Sequence, residues 1–215
     1  DGMHYRGLLR VARREGGTRL YAPREPTPAP DDPQAAFDAL VDVAVAAYAP
    51  LPAATLGWLM SGLALGGAPQ WRGERAAALQ RAKRRLPSAT VDGTVWYWPA
   101  GENPAARRWA PDGAVRLLAP FDPIVWDRRR FETCWGWAYR FEAYTPAPKR
   151  KLGYYALPLL WGEQVIGWAN VVNGARGPQP TFGYVSGRAP RDAAFRRELE
   201  AEVERLRSFL GADEP

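Results

Sequence analysis

One imidazole and one thiol, His4 and Cys134, bound what this 215-residue sequence can do chemically. A multi-histidine metal centre is impossible, and a Cys/His zinc knuckle cannot be assembled. Ser/His/Asp or Cys/His catalysis would have to recruit His4 from a hairpin near the chain end. No metal and no cofactor is therefore expected. Two carboxylates, Asp122 and Asp127, stand around Pro123, and a pair of acids with separated pKa values could do general acid–base work. An acid beside proline is equally the mark of a turn, and no catalytic residue is assigned. A single cysteine forms no internal disulfide, which fits a reducing compartment.

Cations are the richer signal. There are 29 Lys and Arg against 23 Asp and Glu, a net charge of +6 and an isoelectric point of about 9.7. Such a balance attracts polyanions, nucleic acid first, although the chain is also rich in Ala, Pro and Gly, so part of its arginine is compositional. Lys149, Arg150 and Lys151 follow a Pro-Ala-Pro stretch that forbids helix, and three adjacent cations repel one another unless an anion is near. They are expected to contact DNA phosphates. Arg128, Arg129 and Arg130, after Asp127, read two ways. They could clamp a phosphate, or Asp127 could cap a short helix whose arginines pair with Glu132 and Glu142. A third group, Arg72, Arg75, Arg81, Lys83, Arg84 and Arg85, falls on one helical segment with Glu74 as its lone acid. It suits a recognition helix lying on DNA, or an ordinary solvated face. Trp96, Trp98, Trp135 and Trp137 are candidates to stack on a base. Alternate residues of such strands equally belong to a core.

The elements that must position these residues follow from punctuation and periodicity. His4 to Tyr21 reads as a β-hairpin turning at Gly16 and Gly17. Pro23 to Pro33 is a proline-rich linker. Asp32 caps a helix with Pro33 at its first position and an apolar stripe of Phe37, Leu40, Val41, Ala44 and Tyr48. A second helix covers about Ala53 to Leu65 and a third about Gln70 to Leu86, with Leu79, Ala82 and Leu86 facing inward. A hairpin turning at Asp92 and Gly93 comes next. From Ala114 the runs VRLLAPFDPIVW, WAYRFEAY, GYYALPLLW, QVIGWANVV and TFGYVS are strand-like, with a reversal at Gly162 and Glu163. They predict a small barrel or curled sheet. A helix from about Arg191 to Leu210 has Phe195, Leu199, Val203, Leu206 and Leu210 as its apolar stripe, charges over the rest and Gly211 at C′. The fold class expected is α+β: a winged helix (three helices plus a β-hairpin wing) followed by a small β-barrel and a C-terminal helix. Residues 1–25 are expected to be the wing of a preceding, truncated winged helix, 31–110 a complete winged helix, and 111–215 the barrel with its helix. No apolar run approaches the roughly 18 residues that span a bilayer, and no signal peptide is evident.

The stretches LLAPFDPIVWDRRR (Leu117 to Arg130) and YRFEAYTPAPKRKLGYYALPLL (Tyr139 to Leu160) resemble the signature of the YcaQ/AlkZ-like winged-helix DNA glycosylases, and HYRGLLRVARREGGTRLY resembles the wing that precedes these elements in that family. The resemblance implies winged helices and a β-barrel gathered around damaged duplex DNA, and cleavage of the N-glycosidic bond of alkylated or crosslinked nucleobases. It also implies a catalytic Gln-x-Gln or Gln-x-Asp motif upstream of the opening wing. No such motif is present: Gln70, Gln80 and Gln164 are followed two residues on by Arg72, Ala82 and Ile166. Relatives carry an acid where this chain has Asn170. The expectation is a monomeric double-stranded-DNA-binding portion of a glycosylase, cytoplasmic and nucleoid-associated. A non-enzymatic winged-helix regulator is the alternative, and a protein-interaction module with an incidental arginine bias is a third.

Overall fold

Aspartate caps start three of the helices, and two-residue turns close the hairpins at Gly16–Gly17 and Asp92–Gly93. The computed structural model describes residues 2–5, 7–25, 32–67, 69–174 and 177–210, and the chain divides into two units, 1–100 and 101–215. A helical turn, α1 (Gly2–Tyr5), leads to the first hairpin, β1 (Leu9–Glu15) and β2 (Thr18–Pro23). His4 thus stands on a helical turn and not on the expected strand, because the Gly7 N–H donates to its carbonyl and closes the turn. The linker between Pro23 and Pro33 falls largely outside the described residues, as does Gly211.

Helix α2 (Pro33–Tyr48) starts where expected, with the Asp32 carboxylate accepting from the N–H groups of Gln34 and Ala35. Residues Leu51 and Pro52 form a two-residue strand, β3, ahead of α3 (Ala53–Gly62). The expected second helix ends in a wider, π-type turn over Leu63–Gly67. The expected third helix is two pieces, a 3₁₀ segment (Pro69–Glu74) and α4 (Arg75–Arg85). The hairpin β4 (Ser88–Val91) and β5 (Thr94–Tyr97) turns at Asp92 and Gly93, both at positive φ, as a type I′ turn requires. Strand β3 pairs with β5, giving the order β3-β5-β4. Phe37, Val41 and Val45 of α2 meet Leu56 and Met60 of α3 and Ala78 and Ala82 of α4 in one core.

The second unit has a four-stranded antiparallel sheet in the order β6-β7-β8-β9: β6 (Val115–Leu117), β7 (Leu157–Trp161), β8 (Gln164–Gly174) and β9 (Gly177–Tyr184). Between β6 and β7 lies a short helix, α5 (Arg128–Trp135), and the chain continues to α6 (Ala193–Phe209), capped by Asp192. A register shift in the β7–β8 pairing between Leu159 and Leu160 brings Leu159 and Ile166 to one face, against Phe195 and Leu199 of α6. Val165 and Trp168 lie with Phe131, Tyr139 and Val125 on the α5 side. Among the described residues this sheet is a curled half-barrel whose edges, β6 and β9, do not pair. The sequence Trp137–Tyr144 is not a strand. Its alternation is real, but side chains hold it in place of a ladder: the buried Tyr139 hydroxyl donates to the Ala156 carbonyl at 2.7 Å, and Glu142 turns in to the following loop. The mixed α+β class is as expected. No helix among the described residues is long and apolar enough to cross a membrane.

Candidate nucleic-acid interface

Asp127 is the N-cap of α5, accepting from the N–H groups of Arg129 and Arg130 at 3.2 Å each. Of the three arginines that follow, Arg128 and Arg130 turn to the 120–125 loop and Arg129 to solvent. Arg130 is 7% exposed and its guanidinium donates to the Pro123 carbonyl. Arg128 donates to the Pro120 carbonyl at 2.8 Å and to that of Val125, and lies 4.6 Å over the Tyr139 ring. These arginines therefore hold the 120–125 loop through its carbonyls, where a pairing with Glu132 and Glu142 was one of the two expectations. Desolvation by burial lowers the pKa of both guanidiniums. Burial also pushes Tyr139 up to about 12, against the pull of the Arg128 charge. Arg129 is exposed.

The Asp122 carboxylate accepts from the Ile124 N–H at 2.8 Å, a turn-forming bond. Both candidate acids thus have structural employment, Asp122 in a turn and Asp127 in a cap. The Cys134 thiol is pushed up by burial, which disfavours a nucleophilic thiolate.

Glu142 organises the basic loop. It is 6% exposed, and one carboxylate oxygen accepts from the N–H groups of Lys151, Leu152 and Gly153 at 2.8, 2.7 and 3.3 Å. Desolvation alone would raise its pKa. The three backbone donors and the Lys151 charge outweigh that and hold the carboxyl below its usual range. From the other side, Asn170 of β8 donates its side-chain amide to the Leu152 carbonyl at 2.7 Å. Gly153 is at φ +120, and any Cβ there would overlap the Asn170 side chain, so the turn requires glycine. Arg150 points back, its Nε donating to the Thr145 carbonyl at 2.8 Å and its guanidinium lying 4.9 Å over the Tyr154 ring. Lys149 and Lys151 are left exposed on either side of it.

These elements enclose an open cleft of about 930 Å³ within the second unit. Arg128, Arg129, Arg140, Lys149 and Lys151 bring five cations to its wall, with Glu132 and Glu142 as its acids and Trp137, Tyr139 and Phe141 as its rings. Five cations against two carboxylates leave the field in the cleft positive. Of the residues expected to bind DNA, the cleft gathers Lys149, Lys151, Arg128 and Arg129, together with Trp137. Arg130, Arg150 and Trp135 are outside its lining, and the Trp135 ring N–H donates to the Glu163 carbonyl at 2.8 Å. Trp137 stacks on Trp168, the centroids 5.8 Å apart. Arg140 was not singled out in the sequence. The signal was present in the alternation of Trp137, Tyr139 and Phe141, which leaves Arg140 on the exposed side.

The first unit carries the remaining candidates. Arg81 makes two bonds to Asp38 of α2, at 2.8 and 2.9 Å, and its pKa is raised chiefly by that pairing. Arg85 pairs with Asp42 at 2.5 Å, and Arg75 donates to the Ser61 hydroxyl at 2.7 Å. Arg81 and Arg85 therefore tie α4 to α2. Arg72 and Arg84 are exposed, and Trp96 and Trp98 are half-buried.

No solved structure matches the chain. The family model described as DNA glycosylase AlkZ-like matches residues 1–209. That match spans both units and includes the basic cleft, and on it the chain belongs to the AlkZ-like DNA glycosylase family.

Proposed function

We propose that the chain is the duplex-DNA-binding portion of a DNA-repair glycosylase that acts on alkylated or interstrand-crosslinked nucleobases, and that it binds without itself cleaving. The observation that carries this reading is the loop bearing Lys149 and Lys151. Glu142 and Asn170 fix its main chain, so two cations are presented to the cleft at little further entropic cost when an anion arrives. Arg129 and Arg140 stand in the same cleft. Phosphate contacts of this kind position a protein on DNA, and they carry most of the salt-dependent affinity.

In this reading α2, α3 and α4 with the β4–β5 hairpin are a winged helix, and the exposed Arg72 and Arg84 add phosphate contacts along its third helix. The half-barrel supplies the second basic surface. Base excision needs groups that position water and stabilise charge developing on the deoxyribose, and these account for many orders of magnitude in rate. The family's Gln-x-Gln or Gln-x-Asp motif is absent from these 215 residues, and Asp122 and Asp127 are engaged in a turn and a cap.

The test incubates the chain with a duplex containing N7-alkylated guanine, counts abasic sites, and measures binding to the same duplex at two salt concentrations. Binding that weakens with salt, tighter on damaged than on intact duplex and without abasic sites above the uncatalysed background, is the expected result. Abasic sites well above background would place the excision groups within the chain. A preference for one base sequence over damage would favour a non-enzymatic regulator instead. No binding at low salt would overturn the DNA reading.

A further inference from the structure

Beside the cleft, three rings gather around Phe141, which itself lines the cleft wall. Phe121 and Tyr155 meet it edge to face at 5.2 Å and Tyr144 at 6.1 Å, with interplanar angles of 65°, 88° and 81°. The outer rings are open to solvent: Phe121 is 66% exposed, Tyr144 is 92% exposed, and Tyr155 is 43% exposed. Tyr154, also exposed, lies under the Arg150 guanidinium. A tyrosine so exposed contributes almost nothing to the core, and a contiguous group of such rings is an unusual surface for a soluble domain to leave uncovered.

The cations fix which occupant suits these rings. Arg140 adjoins Phe141 in sequence, and Arg150 bonds to the Thr145 carbonyl, directly after Tyr144. Lys149 and Lys151 stand across the same cleft wall. An apolar protein surface would leave these charges without partners. A polyanion that also carries flat, stackable faces satisfies both halves of the patch. In duplex DNA the faces of the bases are hidden by their neighbours, so only an unpaired strand presents them. Resting on the DNA-binding reading above, we propose that Phe121, Phe141, Tyr144 and Tyr155 form a stacking platform for the bases of an unpaired DNA strand, whose phosphates lie on Arg140, Lys149 and Lys151. The chain would then engage DNA at places where the two strands have separated, as well as intact duplex.

The experiment measures fluorescence anisotropy of a labelled oligothymidine of about 12 nucleotides, within the usual site size for such surfaces, and of a blunt duplex of the same length. The proteins are the unmodified chain, Tyr144→Ala, Tyr155→Ala and Tyr144→Phe. Each alanine variant should weaken single-strand binding about tenfold, the usual scale for losing one stacked ring. Duplex affinity should hold, and Tyr144→Phe should bind the single strand like the unmodified chain. Unchanged single-strand affinity in the alanine variants would overturn the platform, and so would an equal loss on both DNAs, which would report general damage to the cleft. If the unmodified chain binds duplex but not the single strand, the platform alone fails. If it binds neither, the DNA-binding reading fails with it.

Discussion

The Glu142 carboxylate accepts the Leu152 main-chain N–H at 2.7 Å, and this bond ties a buried acid to the loop that carries the exposed lysines. Two more donors, the N–H groups of Lys151 and Gly153, converge on the same oxygen. Charged hydrogen bonds of this type contribute about 1.5–3 kcal/mol each when lost from a buried site. Glu142→Gln keeps the shape and removes the charge. It should lower stability by about 2 kcal/mol on that scale and weaken duplex affinity while leaving Lys149 and Lys151 in the sequence. Chemical denaturation and DNA titration of the one variant check both. A loss of DNA affinity with stability intact would mean that Glu142 acts on DNA other than through the loop.

The same carboxyl gives a pH dependence with a definite sign. Its pKa is depressed in the folded chain, because the backbone donors outweigh desolvation. Its contribution to stability is therefore full above the unfolded value of about 4.3 and is lost as pH falls from there through the lower folded value. Thermal melts between pH 6 and pH 3 (about the span of carboxylate titration) should show Tm falling more steeply in the unmodified chain than in Glu142→Gln. Parallel curves would contradict this assignment.

At the edge of the half-barrel, Glu202 of α6 is 9% exposed and accepts the Leu117 N–H at 2.6 Å, while Arg205 reaches the Val115 carbonyl at 3.0 Å. A helix side chain thus satisfies the unpaired edge of β6. Glu202→Ala should destabilise the chain by about 2–3 kcal/mol, the cost of a buried N–H left without a partner and of a cavity. The check is denaturant unfolding, with duplex affinity measured under folding conditions and expected to stay unchanged.

Arg81 is paired with Asp38 whereas Arg84 on the same helix is exposed, so the two test the proposed DNA-facing role of α4. Arg81→Ala removes the two-bond pairing with Asp38 and should cost about 1 kcal/mol, the upper end for a partly exposed pair. Arg84→Ala should leave stability unchanged and lower duplex affinity. Denaturation and DNA titration of both variants would detect the reverse pattern, which would contradict α4 as a DNA-facing helix.

Much of this architecture was legible in the sequence because local chemistry decided it. Asp32 with Pro33, and Asp92 with Gly93, fixed a helix start and a hairpin turn through bonds and φ values that involve residues no more than three apart. The run of cations at Lys149–Lys151 was legible. Pro146 and Pro148, which read as forbidding helix, lead instead into a 3₁₀ turn over Ala147–Lys149, because proline fits the first turn of a helix where no N–H is needed. The other misreadings were long-range. Trp137–Tyr144 carries strand-like alternation, yet Tyr139 and Glu142 find their partners in residues 151–156, which sequence spacing does not reveal. Arg81 reads as a free cation until Asp38 of another helix is set beside it. Glu202 reads as one more charge on a solvated helix face, because the strand edge it satisfies is 85 residues away.

The central claim is that the cleft binds DNA phosphates through Lys149 and Lys151, and the salt dependence of duplex affinity tests it most directly. Each phosphate contact contributes about −0.9 to the slope of log K against log salt. Replacing both lysines with alanine should flatten that slope by about 1.8, with Tm unchanged because both side chains are exposed. Arg150→Ala should change the slope less, since that guanidinium is engaged with Tyr154 and Thr145. A slope that stays the same in the double variant, with the fold intact, would contradict the account.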